Sequence, residues 1–213
     1  EHGSSGNPSP VTAWGCFLAT QACFEEVFGD ANLDGRKIAI QGVGAVGSVY
    51  ARHCKEAGAT VIVSDTETGR ASELASSEGY QLVADPTAIV TTECDLFAPC
   101  ARGAVLNRDT LPTLNCRVVA GCANNQLAED DDGQRMADAG ILYAPDYVVN
   151  AGGVINIAVE FSTEGYSREA ALRRCESIPR ALETIFGIAK GEGITTAKAA
   201  DQLAEARLAA GRP

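Results

Sequence analysis

Histidine is almost missing from this 213-residue chain: His2 and His53 are the only two. A zinc site would therefore have to be built from thiolates alone. The eight cysteines (16, 23, 54, 94, 100, 116, 122 and 175) show no CxxC spacing and lie scattered through apolar periodic segments. Most are expected to be small buried hydrophobes rather than disulfide partners or metal ligands, and no metal site is expected. Basic residues are also scarce, 17 against 28 acidic, and the net charge of −11 disfavours nucleic acid and anionic membrane surfaces as partners. No apolar run approaches the length of a membrane span, and the first residues lack the basic and apolar regions of a signal peptide. A cytoplasmic location is the expectation. Internal repeats and low-complexity segments are absent too.

What is present is a chain with 46% hydrophobic residues, enough to bury the core of one α/β domain. Its most informative stretch is Lys37-Ile-Ala-Ile-Gln-Gly-Val-Gly-Ala-Val-Gly47, followed by Val61-Ile-Val-Ser-Asp65. This reads as strand, glycine turn, helix, and a second strand ending in a carboxylate, the pattern of a dinucleotide site. Gly42 permits the tight turn, Gly44 lets backbone approach a pyrophosphate, and Gly47 lets the helix lie close to the strand. Asp65 is placed to accept from both hydroxyls of an adenosine ribose and to repel a 2′-phosphate, so NAD is favoured over NADP. The first positive charge beyond it is Arg70, and the sequence shows no evident phosphate clamp.

Strand and helix patterns alternate along the chain, which predicts a doubly wound, mainly parallel sheet with helices on both faces. Ser9 and Pro10 read as N-cap and first turn of a helix that ends at Gly29. The glycine-motif helix is expected to run to about residue 58 and the next from about 68 to 79, with short strands over 82–84, 95–98, 117–121 and 141–143. An acidic segment, 129–133, lies between the last two. Helices are predicted over 151–161, 168–189 and 196–210, giving a C-terminal helical segment from about residue 160 onward.

Ligands of open α/β sheets sit beyond the carboxyl ends of strands, which draws attention to three polar turns: Ala98-Pro-Cys-Ala101, Gly121-Cys-Ala-Asn-Asn-Gln126 and Ala144-Pro-Asp-Tyr-Val-Val-Asn-Ala-Gly-Gly153. In the last, the amide of Asn150 can reach a ligand while Gly152 and Gly153 keep the backbone close. It can equally serve as a helix N-cap.

Several of these segments, in order, resemble a known family. Gly3-Ser-Ser-Gly-Asn-Pro-Ser-Pro-Val-Thr-Ala13, Gln41-Gly-Val-Gly44, Cys94-Asp-Leu-Phe-Ala-Pro-Cys-Ala101, Asn125-Gln-Leu127 and Tyr143-Ala-Pro-Asp-Tyr-Val-Val-Asn-Ala-Gly-Gly-Val-Ile-Asn156 are similar to the cofactor-domain motifs of the glutamate/leucine/phenylalanine/valine dehydrogenases, in their leucine/phenylalanine branch. The resemblance covers nearly the whole chain but only the second half of a family member. It implies one NAD-binding domain over 1–213, with 1–12 forming the hinge from a substrate domain and the start of the first helix.

For the complete enzyme the resemblance implies NAD-dependent oxidative deamination of an L-amino acid to a 2-oxo acid and ammonia, in a homo-oligomer. By the same resemblance Thr12 and Asn150 bind the nicotinamide carboxamide, Cys100 and Ala101 line the nicotinamide ribose, Val43, Gly44, Ala45 and Val46 wrap the pyrophosphate with Gly42 and Gly47 shaping the turn, and Asp65 holds the adenosine ribose. The family places its catalytic lysine in a glycine-rich two-lysine segment. Lys37, Lys55, Lys190 and Lys198 lie in no such segment, so no catalytic residue is assigned here and the chain is expected to be inactive by itself. A second class of function is a stand-alone NAD-binding or sensing module. An NADP-dependent glutamate-type enzyme is disfavoured by Asp65. Substrate side-chain choice is expected to rest partly on the helix near Ile178 to Leu182. Two departures from the family, Asn124 for an acidic residue and Val159 for an aspartate, are expected at the domain surface.

Overall fold

The strand Lys37–Gln41 (β1) buries Ile38, Ala39 and Ile40 in succession, the pattern of a strand covered on both faces rather than one with a wet side. In the computed structural model, which describes residues 6–162 and 165–211, β1 is the centre of a six-stranded sheet. Its neighbours are β2 (Thr60–Ser64), β3 (Gln81–Leu82), β4 (Leu96–Pro99), β5 (Val118–Val119) and β6 (Leu142–Tyr143). Every pairing is parallel and the order is β3-β2-β1-β4-β5-β6. The chain winds outward from β1 on one side, then returns to begin again at β4, and this reversal leaves a crevice beyond the carboxyl ends of β1 and β4. The expected doubly wound α/β architecture is the one observed.

Alternation along the strands divides the core in two. Ile38, Ile40, Val61 and Val63 meet Phe24 of α1 (Ser9–Phe28), Tyr50 of α2 (Gly47–Glu56), Ala71 of α3 (Thr68–Glu78) and Leu182 of α8 (Ser177–Glu192). Ala39, Ile62 and Phe97 on the other face meet Ile89 and Leu111 from two short 3₁₀ turns and Met136 of α4 (Asp131–Asp138). The first core holds a polar contact in its depth, Thr20 Oγ1 to Tyr50 Oη at 2.7 Å, which satisfies two buried hydroxyls at once. The remaining helices are α5 (Asp146–Val149), α6 (Gly152–Glu160), α7 (Arg168–Arg174) and α9 (Thr196–Ala209). No described helix is long and apolar enough to cross a membrane.

Differences from the sequence expectation have local causes. Ser9 is the first residue of α1 rather than its cap: Pro8 occupies the cap position and the Asn7 side chain accepts from the Ser9 N–H at 3.0 Å. The single helix expected over 168–189 is two, because Pro179 has no N–H to donate and its ring would clash one turn back; the chain turns at Cys175–Glu176 and restarts with Pro179 in the first turn of α8. The acidic segment 129–133 opens α4, its Asp131 and Asp132 lying in the first turn where negative charge favours a helix. Val159 is not at the surface but 1% exposed in the main core. The expected hinge residues Glu1 to Ser5 lie outside the described residues.

Gly47 is required by packing: a Cβ there would lie 2.1 Å from the Gly42 carbonyl oxygen. Gly187, on the exposed side of α8, has nothing within 4 Å of the position a Cβ would take. Urea unfolding should therefore separate the two. Gly47→Ala is expected to lose about 1–3 kcal/mol by overpacking, and Gly187→Ala to gain about 0.5–1 kcal/mol by helix propensity.

Candidate dinucleotide site

Beyond β1 the chain turns at Gly42, whose φ of +97° is a conformation L side chains rarely adopt. A Cβ at Gly42 would also lie 2.6 Å from that of Ala101, so the turn and the loop after β4 meet without a side chain between them. Gly44 differs, having nothing within 4 Å of its Cβ position: the space beside it is open. Helix α2 starts immediately afterwards with no side-chain cap. Among the described residues no protein group accepts from the N–H groups of Gly44, Ala45 and Val46. Three donors without a protein acceptor thus lie at the positive end of a ten-residue helix, with open space beside the first of them.

Val43 does not share in this. Its side chain is buried and its N–H donates to Asp65 Oδ2 at 2.8 Å, so of the four residues expected to wrap a pyrophosphate it is a support, not a donor.

Asp65 follows β2 and is 8% exposed. Besides the Val43 N–H it accepts from the Glu67 N–H at 2.9 Å, and Arg70 Nη2 lies 2.9 Å from both carboxylate oxygens. Burial, the largest single influence, pushes the carboxyl's pKa up. The hydrogen bonds from Glu67, Arg70 and Val43 together outweigh it and hold the pKa below its ordinary 3.8. Arg70, which the sequence marks only as the first positive charge beyond Asp65, pairs with it directly. A side chain five residues downstream folding back over a strand end leaves no mark in the motif. Asp65 and Arg70, with Gly42, Gly44, Cys100 and Ala101, line a cleft of about 340 Å³. A cleft of equal volume beside Leu111 and Met136 has no glycine in its lining, and its Arg108 and Arg135 pair with Glu129.

The nicotinamide candidates are Thr12 and Asn150. Thr12 sits in the first turn of α1, its hydroxyl donating to the Pro8 carbonyl at 3.1 Å. It lies against α6: a Cβ at Gly152 would lie 2.9 Å from Thr12 Cα, and one at Gly153 3.0 Å from Thr12 Oγ1. The structure therefore brings Thr12 beside the glycine pair that follows Asn150, although no hydrogen bond joins the two side chains. Asn150 is not an N-cap. The cap position of α6 is Ala151, with no side-chain bond, while the Asn150 amide donates to Asn124 Oδ1 at 2.6 Å and to the Cys122 carbonyl at 3.3 Å. Both amide hydrogens are thereby used and Oδ1 is left for a ligand. Asn124 is thus not an idle surface departure but the group that orients Asn150.

The other expected residues divide. Cys100 is half-buried and Ala101 exposed at the rim of the cleft. Ile178 and Leu182 are buried in the domain core and present no open surface. No lysine enters the cleft: Lys37 pairs with Glu93 at the opposite end of β1, Lys55 donates to the Gly79 carbonyl, and Lys190 and Lys198 are exposed on α8 and α9. All eight cysteines are free, and the described residues hold no cluster suited to a metal.

The family model of the Glutamate/Leucine/Phenylalanine/Valine dehydrogenases matches residues 3–73 and 63–211. The chain belongs to this family. Within it, the chain is 47% identical over 206 residues to a leucine dehydrogenase of Thermoactinomyces intermedius, covering 97% of this chain and 56% of that protein. It is 41% identical to a valine dehydrogenase of Streptomyces virginiae, with 100% and 59% covered. The crystal structure of L-tryptophan dehydrogenase from Nostoc punctiforme superposes with a TM-score of 0.90 at 43% identity, over 95% of this chain and 61% of that one. The chain thus spans little more than half the length of these family members.

The Asp65 node also has a pH signature. A carboxyl whose folded pKa is depressed stabilises the fold fully above its unfolded value and loses that contribution as pH falls through the folded value. Asp65→Asn should cost about 1.5–3 kcal/mol at neutral pH, the worth of a hydrogen bond to a charged group. Urea midpoints should show the gap between wild type and variant closing below pH 3.8.

Proposed function

We propose that this chain is the NAD-binding part of an L-amino-acid dehydrogenase of the leucine/phenylalanine/valine type, catalysing oxidative deamination to a 2-oxo acid and ammonia. The observation that carries the proposal is the set of N–H groups of Gly44, Ala45 and Val46 without a protein acceptor among the described residues, with open space at Gly44, beside a buried carboxylate. This donor set fits a pyrophosphate followed by a ribose diol. When bound, the nicotinamide supplies a hydride acceptor.

The chain's own residues then have distinct tasks. Gly44, Ala45 and Val46 hold the phosphates through backbone N–H groups. Asp65 takes the adenosine ribose, with Arg70 moving aside or sharing the carboxylate. Thr12 and Asn150 orient the carboxamide, so that one face of the ring is turned toward the substrate, and Cys100 and Ala101 line the ribose between. Positioning of this kind contributes several kcal/mol to a bimolecular step. A general base for the substrate amine is expected from outside the cleft wall described here, since among the described residues no lysine, histidine or unpaired carboxylate lines it.

Titration calorimetry tests the binding half of the proposal. The chain should bind NAD(H), and Gly44→Val, whose side chain would project into the open space, should weaken binding at least tenfold while leaving the unfolding midpoint nearly unchanged. Equal loss of both would show the glycine to be structural. A coupled NADH assay should detect no oxidation of leucine, phenylalanine or valine by this chain alone; robust turnover would refute the division of labour.

Cofactor choice follows from the Asp65–Arg70 pair. Arg70→Ala leaves the carboxylate bare, so the ratio of NAD to NADP affinity should rise several-fold. Asp65→Ser should lower it, with NAD losing roughly tenfold or more as hydrogen bonds to a charged group disappear. Unchanged ratios in both variants would remove Asp65 from the ribose site.

A further inference from the structure

Strands β4 and β5 lie side by side with Leu96 opposite Val118 and Phe97 opposite Val119, an offset of 22 residues. Two pairs of cysteines share that offset, Cys94 with Cys116 just before the strands and Cys100 with Cys122 just after. The sheet register therefore places a thiol pair at each end of one strand pairing. At the first end the backbones are already joined: the Cys94 N–H donates to the Asn115 carbonyl at 3.0 Å, and those of Arg117 and Val118 to the Asp95 carbonyl. Neighbouring strands are about 4.8 Å apart, inside the Cα separation a disulfide tolerates.

The two ends differ in environment. Cys94 and Cys116 are near enough to shift each other's ionisation, and Cys116 is half-buried between the exposed residues Asn115 and Arg117, where a small solute can reach it. Each thiol is the largest influence on the other. This mutual influence pushes the Cys94 thiol up and holds Cys116 below the usual thiol range, with the N–H groups of Phe97 and Val118 also favouring the Cys116 thiolate against burial. At the far end both thiols are pushed well up. For Cys100 the causes are the neighbouring Cys122 thiol and burial; for Cys122 the Cys100 thiol lowers, but the Cys16 thiol and burial outweigh it.

We propose that Cys94 and Cys116 form a reversible modification site, a dithiol oxidised by hydroperoxides to a disulfide between β4 and β5. The Cys116 thiolate attacks the peroxide O–O bond, gaining an oxygen as sulfenic acid and releasing water or an alcohol after proton uptake. Cys94 then attacks the Cys116 sulfur, the S–S bond forms, and the S–O bond breaks with loss of water. Two thiols give up two electrons, and the hydroperoxide is reduced by the same two. Low-molecular-weight thiols reverse the step by thiol–disulfide exchange. The site sits at the amino ends of the strands, away from the dinucleotide cleft, and does not depend on the reading of that cleft.

A peptide map tests it. The reduced protein is treated with a few equivalents of hydrogen peroxide, blocked with N-ethylmaleimide and digested with trypsin without reductant. Cleavage after Arg70, Arg102, Arg108, Arg117 and Arg135 leaves Cys94 and Cys100 together in 71–102, Cys116 alone in 109–117 and Cys122 alone in 118–135. The expected product is 71–102 linked to 109–117, with fragment ions placing the bond at Cys94, lost on adding dithiothreitol. In Cys116→Ser, Cys94 should be recovered as the maleimide adduct. A predominant link from 71–102 to 118–135, or 109–117 recovered wholly as maleimide adduct after peroxide, overturns the assignment. The wild-type map decides by itself should the variant fold poorly.

Discussion

The carboxylate of Asp65 is the knot on which the carboxyl end of the sheet depends. It stands past the end of β2, yet it accepts from Val43 in the turn after β1, from Glu67 at the entry to α3 and from Arg70 inside α3. One buried anion thereby ties two strands and a helix to each other. It engages the Val43 N–H, while the next three N–H groups of the turn have no acceptor among the described residues. In the proposed reading the group that holds the ribose is thereby tied to the phosphate turn, so a substitution at Asp65 acts on both.

Glycine plays three roles around this knot. Gly42 and Gly47 are close-packed against Ala101 and against each other, so their missing side chains let the backbone layers touch. Gly44 touches nothing, and its missing side chain leaves room for something else. Gly152 and Gly153 let α6 approach the first turn of α1. The motif already assigns Gly42, Gly44 and Gly47 different places, and their surroundings show the difference as contact or open space.

Legibility in the sequence follows the range of the interactions. The turn, the acidic strand end and the caps at Gly29 and Gly79 are local, and are readable because a few consecutive residues determine them. The break at Pro179 is readable in principle, since a proline inside a helical pattern is itself the signal. The acidic start of α4 is another such mark, obscured because its residues alternate with no apolar stripe. Arg70 on Asp65, Asn124 on Asn150 and the burial of Val159 are not readable, because each needs the relative placement of elements that only the folded sheet supplies. The cysteine pairs belong to this last group. Their common spacing has no meaning until the β4–β5 register is known.

The contact between α1 and α6 has a mechanical side. Val11 and Thr12 meet the backbone of Gly152 directly, with no side chain between them to yield, while the rest of α1 is embedded among α2, α7 and α8. A joint with no soft layer transmits displacement instead of absorbing it. Helix α1 is thus a stiff lever: a torque applied near Pro8 is carried to the loop holding Asn150, whose neighbours move with it or not at all.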